Sequence, residues 1–123
     1  MSVLLEFDRS LTVNISMRQG DYYIKVFRVN NNGAAYTWPN VTEIIFQVRL
    51  NKKSPTKVIE LKKSTGEIVI TEGYMVMYFT VSKTDVPAKE YGSSELLIIF
   101  DSSKPTLWWD GKCTIKPRAT KIE

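Results

Sequence analysis

Hydrophobic and polar residues alternate with a period of two along most of this chain. In the clearest run, Ile44, Phe46, Val48 and Leu50 alternate with side chains that are mostly polar. Successive side chains of a β-strand point to opposite faces, so this pattern predicts strands with one buried face. Similar segments fill the chain, and turn residues such as Gly and Asn separate them. We therefore predict an all-β protein.

The number and spacing of these segments distinguish between all-β architectures. We count seven to eight strands at short spacing, and the segments at 74–81 and 94–100 are apolar on both faces. An oligonucleotide-binding barrel needs only five strands, whereas strands that are apolar on both sides suit a position between two layers. The prediction is an immunoglobulin-like, two-sheet antiparallel β-sandwich that forms a single domain over residues 1–123.

The alternation also predicts which side chains form the core and where one hairpin turns. The predicted core side chains are Val13, Ile15, Ile44, Phe46, Val48, Met77, Phe79, Leu97, Ile99 and Ile115. Near the C-terminus, Asp110-Gly111 separates two β-rich runs at 106–109 and 112–116. Asp-Gly is a strong signal for a two-residue turn, so we predict that these two runs pair as a hairpin.

The residue types limit the chemistry that the protein can perform. The chain of 123 residues has no histidine and one cysteine, Cys113. Histidine is the usual acid–base group near neutral pH, and transition-metal sites need clusters of His and Cys. We therefore predict a non-enzymatic protein with no catalytic residues, no metal and no cofactor. Cys113 lies in an apolar alternating run, so we expect a small buried side chain.

The net charge of +4 raises the question of an anionic partner, because lysines are concentrated at 52–63. A nucleic-acid-binding protein would place such lysines against phosphates. Glu60 interrupts the run, and Glu67 follows it, so we expect the lysines to coat solvated strand edges instead. A basic nucleic-acid-binding β-barrel stays as one alternative. No run of about 18 apolar residues occurs, so we expect no membrane partner.

Two adjacent tryptophans, Trp108 and Trp109, make the aromatic residues the main candidates for binding. Alternation along a strand would place one indole inward and the other outward. An outward Trp beside Tyr74, Tyr78 or Trp38 would form an apolar patch suited to a protein interface or a sugar ring. These five side chains are the candidate interface, and a carbohydrate-binding sandwich with a surface glycan as ligand is a second alternative. The simpler interpretation is that one Trp belongs to the core and the other caps an open end.

Several motifs follow one another in a fixed order from about residue 21. They comprise a long alternating strand, a Lys-Ser-x-Gly turn, a further strand, a Ser/Thr-x-x-Asp turn, a Tyr-led strand and a closing Asp-Gly-Lys-x-x-Ile hairpin strand. In this chain they are Ile44–Leu50, Lys63–Gly66, Val76–Val81, Ser82–Asp85, Tyr91 and Gly111–Ile115.

This order resembles the N-terminal domain of upper-baseplate proteins of tailed phages that infect Gram-positive bacteria, and related head-fibre and tail-fibre attachment modules. The resemblance implies a structural protein of the virion, assembled in the host cytoplasm. Such a protein would dock in many copies onto other virion proteins or onto itself.

Overall fold

The computed structural model describes residues 2–6, 11–31, 33–101 and 105–118. Within them the chain forms two β-sheets and one single-turn helix, α1 (Val81–Thr84). Strands are numbered in chain order. The first sheet contains β1 (Ser2–Glu6), β4 (Tyr23–Asn31), β5 (Ala34–Ala35), β8 (Ile68–Thr71) and β9 (Tyr74–Phe79). The second sheet contains β2 (Leu11–Thr12), β3 (Ile15–Arg18), β6 (Val41–Arg49), β7 (Ile59–Lys62), β10 (Lys89–Phe100) and β11 (Pro105–Lys116).

The strand order places the N-terminal segments at the edges of both sheets. The first sheet runs β1-β4-β9-β8, with β5 beside β4, and the second runs β2-β11-β10-β6-β7, with β3 also beside β11. Most neighbours are antiparallel, but β1 is parallel to β4, and β2 and β3 are parallel to β11. The all-β, two-sheet prediction is confirmed, but the described residues form eleven strands and not seven to eight, because the short strands β2, β3 and β5 add to the sheets. Its wholly antiparallel form is wrong at these edges, because no hairpin joins the N-terminal strands to their neighbours and fixes their direction.

The core lies between the two sheets and is built from their inward-facing side chains. Ile44, Phe46 and Val48 on β6 are fully buried. Aromatic contacts join the sheets: the ring of Phe46 lies 5.6 Å from that of Phe79 on β9, measured between centroids. A single cluster of buried residues draws on both sheets, so they form a sandwich around one core.

The expected core is confirmed in large part, but β10 presents the opposite face. Of the ten side chains predicted, seven are buried, and Val13, Leu97 and Ile99 are only partly buried. On β10 the fully buried residues are Leu96 and Ile98. Residues 94–100 are apolar on both faces, so alternation alone does not show which set points inward. The register decides, because it pairs Leu96 and Ile98 with the buried Phe46 and Ile44.

The predicted turn at Asp110-Gly111 is wrong. Both residues lie within β11, which continues without a break from Pro105 to Lys116. A Cβ atom at position 111 would collide with the backbone oxygen of Val13 in the segment between β2 and β3. Glycine is therefore required for the close approach of two backbones and not for a turn.

Replacing Phe46 with alanine tests the placement of the core. Phe46→Ala should lower the free energy of unfolding by about 3–5 kcal/mol, because it opens a cavity between the sheets. Leu50→Ala is the control, since Leu50 follows β6 and is 47% exposed; its effect should stay within about 0.5 kcal/mol. Denaturant unfolding measures both, and equal losses would contradict the assignment.

A second substitution tests the close approach at Gly111. Gly111→Ala should destabilise the protein by about 1–3 kcal/mol, because neither backbone can move away without breaking strand pairing. Gly92→Ala is the matched change, since a Cβ there would lie 3.1 Å from the Leu50 oxygen, a milder contact. In thermal unfolding, Gly111→Ala should have a lower melting temperature than Gly92→Ala. The reverse order would refute the argument.

Candidate docking surfaces

A β-bulge at the adjacent tryptophans decides where both side chains point. Leu96 of β10 pairs with Trp109, but the next residue, Leu97, pairs with Leu107, so Trp108 is an extra residue on β11. A bulge interrupts the alternation of side chains. Both indoles therefore face the core, with exposures of 3% for Trp108 and 0% for Trp109. The expectation that one of them points outward is wrong, and the carbohydrate-binding alternative loses the stacking residues on which it depended.

The third tryptophan of the candidate interface, Trp38, is also a core residue. It is 7% exposed, and its indole N–H donates a hydrogen bond of 2.9 Å to the Thr71 carbonyl. Its ring lies edge-on to Tyr36 at 4.9 Å and to Trp108 at 6.0 Å. The backbone φ of Trp38 is 58°, a left-handed conformation that costs about 1–3 kcal/mol for a bulky residue. The ring contacts and the hydrogen bond hold it there.

The tryptophans belong to a chain of aromatic rings that crosses the core between the sheets. Successive centroids lie between 4.9 and 6.4 Å apart, within the range of favourable ring pairs. The rings are those of Tyr36, Trp38, Trp108, Trp109, Phe27, Phe46 and Phe79. Three of the five side chains expected at an interface therefore stabilise the fold.

Tyr74 and Tyr78 lie on the outer face of the first sheet. The register places Tyr78 beside Ile24, and it pairs Val76 with both Val26 and Val69. We call this set the tyrosine face; it comprises Ile24, Val26, Val69, Tyr74, Val76 and Tyr78. Ile24 is 51% exposed, Tyr74 43% and Val69 40%. The solvent-facing side of a sheet is ordinarily polar. Single exposed apolar side chains are common, but a continuous apolar set indicates an interaction site.

Sequence reasoning found two members of the tyrosine face and missed the other four. A signal was present, since residues 74–81 are apolar on both sides. For a strand in a two-layer sandwich, this leaves one apolar set facing away from the core. What the sequence lacked was the pairing that brings Ile24, Val26 and Val69 beside this strand.

The outer face of the second sheet carries a network of charged and polar side chains. Arg49 and Glu95 form an ion pair of 2.9 Å, and Glu60 is bound by Lys57 at 3.1 Å and Gln47 at 3.0 Å. Partial burial raises the pKa of Glu60, but the hydrogen bonds from Lys57 and Gln47 outweigh it and hold that pKa below 4.5. These pairs fit the expectation that lysines here coat a solvated surface.

Cys113 is fully buried on β11, as expected from its apolar run. Burial raises the pKa of its thiol to about 11, and the nearby Lys25 ammonium only partly offsets this. In the part of the chain that the structure describes, no three His, Cys, Asp or Glu side chains lie close enough to share a metal ion. No helix among those residues has the length and apolar character needed to cross a membrane.

Comparison with known proteins finds a likeness in fold but none in sequence. No protein-family model matches the chain, and no curated protein matches it. The fold is similar to a solved structure, the N-terminal domain of phage TP901-1 ORF48, with a TM-score of 0.49 and 6% sequence identity. The match covers 94% of this chain and 98% of that one. At this identity and TM-score it assigns no function.

The burial of Cys113 leads to a prediction about its reactivity. Because the thiol stays protonated and enclosed, a thiol-specific reagent should label it slowly in the native protein and rapidly in denaturant. The pKa is raised on folding, so the stabilising contribution is complete below pH 9.0 and is lost as the pH rises toward about 11. Comparing the alkaline stability of wild type with Cys113→Ala isolates the thiol from the tyrosines and lysines. Rapid native labelling would contradict this account.

Proposed function

We propose that this protein is a non-enzymatic, single-domain structural component of a phage virion, assembled in the host cytoplasm. It acts by docking through the tyrosine face onto other virion proteins or onto another copy of itself. The observation that carries this proposal is the continuous apolar set on the solvent side of the first sheet. Burying such a set against a partner is favourable, at about 25 cal/mol for each Å² of apolar surface removed from water.

The composition of the tyrosine face suits a protein partner. Tyrosine and arginine are enriched among the residues that dominate binding energy at interfaces, and Arg28 lies beside Tyr74 in the register and is exposed. The face is carried by three paired strands, so its side chains are held on a rigid surface before binding. A preformed surface loses less conformational entropy on association than a loop does.

The resemblance of the chain's motifs to those of phage attachment modules is the support for a phage particle as the setting. Lys63–Gly66 forms the turn by which the chain leaves the second sheet and enters the first, and Gly66 has a φ of 83° there. Ser82–Asp85 covers most of α1 and the residue that ends it, and Gly111–Ile115 lies within β11. The motifs at 63–66 and 82–85 thus coincide with a turn and with a short helix and its cap, whereas the hairpin expected at the last motif is not formed.

We further propose that the sandwich is immunoglobulin-like. Its sheets run β1-β4-β9-β8 and β11-β10-β6-β7, which corresponds to the immunoglobulin orders A-B-E-D and G-F-C-C′. The hydroxyl of Tyr91, near the start of β10, donates a hydrogen bond of 2.6 Å to the Pro87 carbonyl. A tyrosine at the start of strand F that bonds to the preceding corner is a hallmark of this fold. One feature that differs is the parallel pairing of β1 with β4, and the short strands β2, β3 and β5 lie outside this order.

The docking proposal predicts the effect of changes on the tyrosine face. The double change Tyr74→Ser and Tyr78→Ser should weaken partner binding by about 2 kcal/mol or more, because it removes two large side chains from the centre of the contact. Binding is measured by co-purification and titration against the products of neighbouring genes, and self-association by sedimentation equilibrium.

Leu50→Ser is the matched control, because it removes an exposed apolar side chain outside the tyrosine face. It should bind like wild type, and near-native melting temperatures should show that all variants fold. If the tyrosine variant binds as well as wild type, the tyrosine face is not the interface. If wild type stays a monomer and binds none of these proteins, the structural role is wrong.

A further inference from the structure

A groove of about 350 Å³ crosses the outer side of the second sheet near β2 and β3. Thr12 and Asn14 line one end of it, and Lys52 lies in the turn after β6. Between them, Gly92 and Gly111 contribute backbone without side chains, which keeps the groove open. Its size is at the lower end of the range for ligand sites, about 300–1,000 Å³.

Several of the polar groups that line the groove are hydrogen-bond donors. Lys52 and Lys112 supply two ammonium groups, and Thr12 supplies a hydroxyl. The side-chain oxygen of Asn14 accepts the Lys112 backbone N–H at 2.9 Å, which directs its amide nitrogen to other acceptors. The carboxylate of Asp110, which also lines the groove, forms an ion pair of 2.7 Å with Lys52. Such a lining is complementary to a carboxylate ligand.

Two further cations lie four residues along the chain from Asn14 and Lys112, on β3 and β11. Arg18 on β3 and Lys116 on β11 are directly paired in the parallel register, and both are exposed. Neighbouring strands lie about 4.8 Å apart, so these like charges repel one another. Neither side chain has a carboxylate partner among the residues that the structure describes; the Arg18 guanidinium donates to the neutral Pro117 carbonyl. An anionic partner would relieve this repulsion.

We propose that this surface, the basic face of Arg18, Lys52, Lys112 and Lys116 with the donors Thr12 and Asn14, binds an acidic segment of a partner protein. A protein segment fits better than a nucleic acid. Asp110 lies within the groove and Glu90 faces Lys112 at 3.7 Å, so a continuous row of phosphates would meet two carboxylates. Separate carboxylates along a peptide can reach the cations between them. The basic face is distinct from the tyrosine face, so either proposal can fail alone.

The test is the binding of a labelled peptide of alternating glutamate and serine, followed by fluorescence anisotropy at low and high salt. Wild type should bind, and the affinity should fall as salt rises. Asn14→Asp is the decisive variant: it keeps the oxygen that accepts the Lys112 N–H but replaces the amide donors with a negative charge. It should weaken peptide binding by about tenfold or more without loss of fold.

Lys62→Gln is the control, because it also lowers the net charge by one but lies on β7, at the opposite edge of the second sheet. It should change peptide binding by less than about twofold. Lys116→Glu adds a readout that a purely structural role would not give. It replaces a like-charge pair with an opposite-charge pair, so the melting temperature should rise while peptide binding falls.

Three outcomes would overturn the proposal. One is the absence of peptide binding to wild type at low salt. Another is an equal loss of binding in Asn14→Asp and Lys62→Gln, which would show that only net charge matters. The third is tighter binding of labelled single-stranded or duplex DNA that displaces the peptide and is lost in Asn14→Asp. That result would assign the basic face to nucleic acid.

Discussion

The bulge at Trp108 is the constraint on which the architecture depends. By adding one residue to β11, it turns two neighbouring indoles onto the same side of the sheet. Trp109 then reaches Phe27 of the first sheet and Phe46 of its own, while Trp108 reaches Trp38. Without the bulge, one indole would face solvent and the chain of rings between the sheets would be interrupted.

The same strand has no space for a side chain at position 111, near the edge of the second sheet. Two residues beyond Trp109, the backbone of β11 meets that of Val13, and only a glycine permits this approach. The contact holds the N-terminal segment against β11, where Val13 N–H donates to the Asp110 carbonyl at 3.0 Å. The bulge and the glycine therefore have complementary roles on β11. The bulge directs both indoles into the core, and the glycine allows the N-terminal segment to pack against the strand.

The sequence predicted the strands well because alternation and turn residues are local signals. It failed where pairing between distant segments overrides them. Trp108 was expected to alternate with Trp109, but a bulge is set by the partner strand. Gly111 carried a turn signal, but its role comes from a segment about a hundred residues earlier in the chain. Leu97 and Leu96 are equally apolar, and only the register with β6 shows which one is buried.

The two sheets have different outer surfaces, and the sequence predicted this difference only in part. Tyr74 and Tyr78 were identified, whereas the valines and isoleucine around them came from other strands. The basic face was less visible still, because Arg18 and Lys116 are far apart in sequence and become neighbours only through a parallel pairing. The outer face of the first sheet is thus apolar over the tyrosine face, whereas that of the second sheet is charged and polar.

The enclosure of all three tryptophans gives the protein a built-in optical reporter. Their indoles lie in one connected cluster, shielded from water by both sheets. Excitation energy absorbed by one indole can transfer to its neighbours. The fluorescence of the folded chain therefore comes from indoles in one apolar environment. A ligand on either outer surface would leave this emission nearly unchanged, whereas separation of the sheets would shift it to longer wavelength. Fluorescence can thus distinguish assembly from unfolding in one sample.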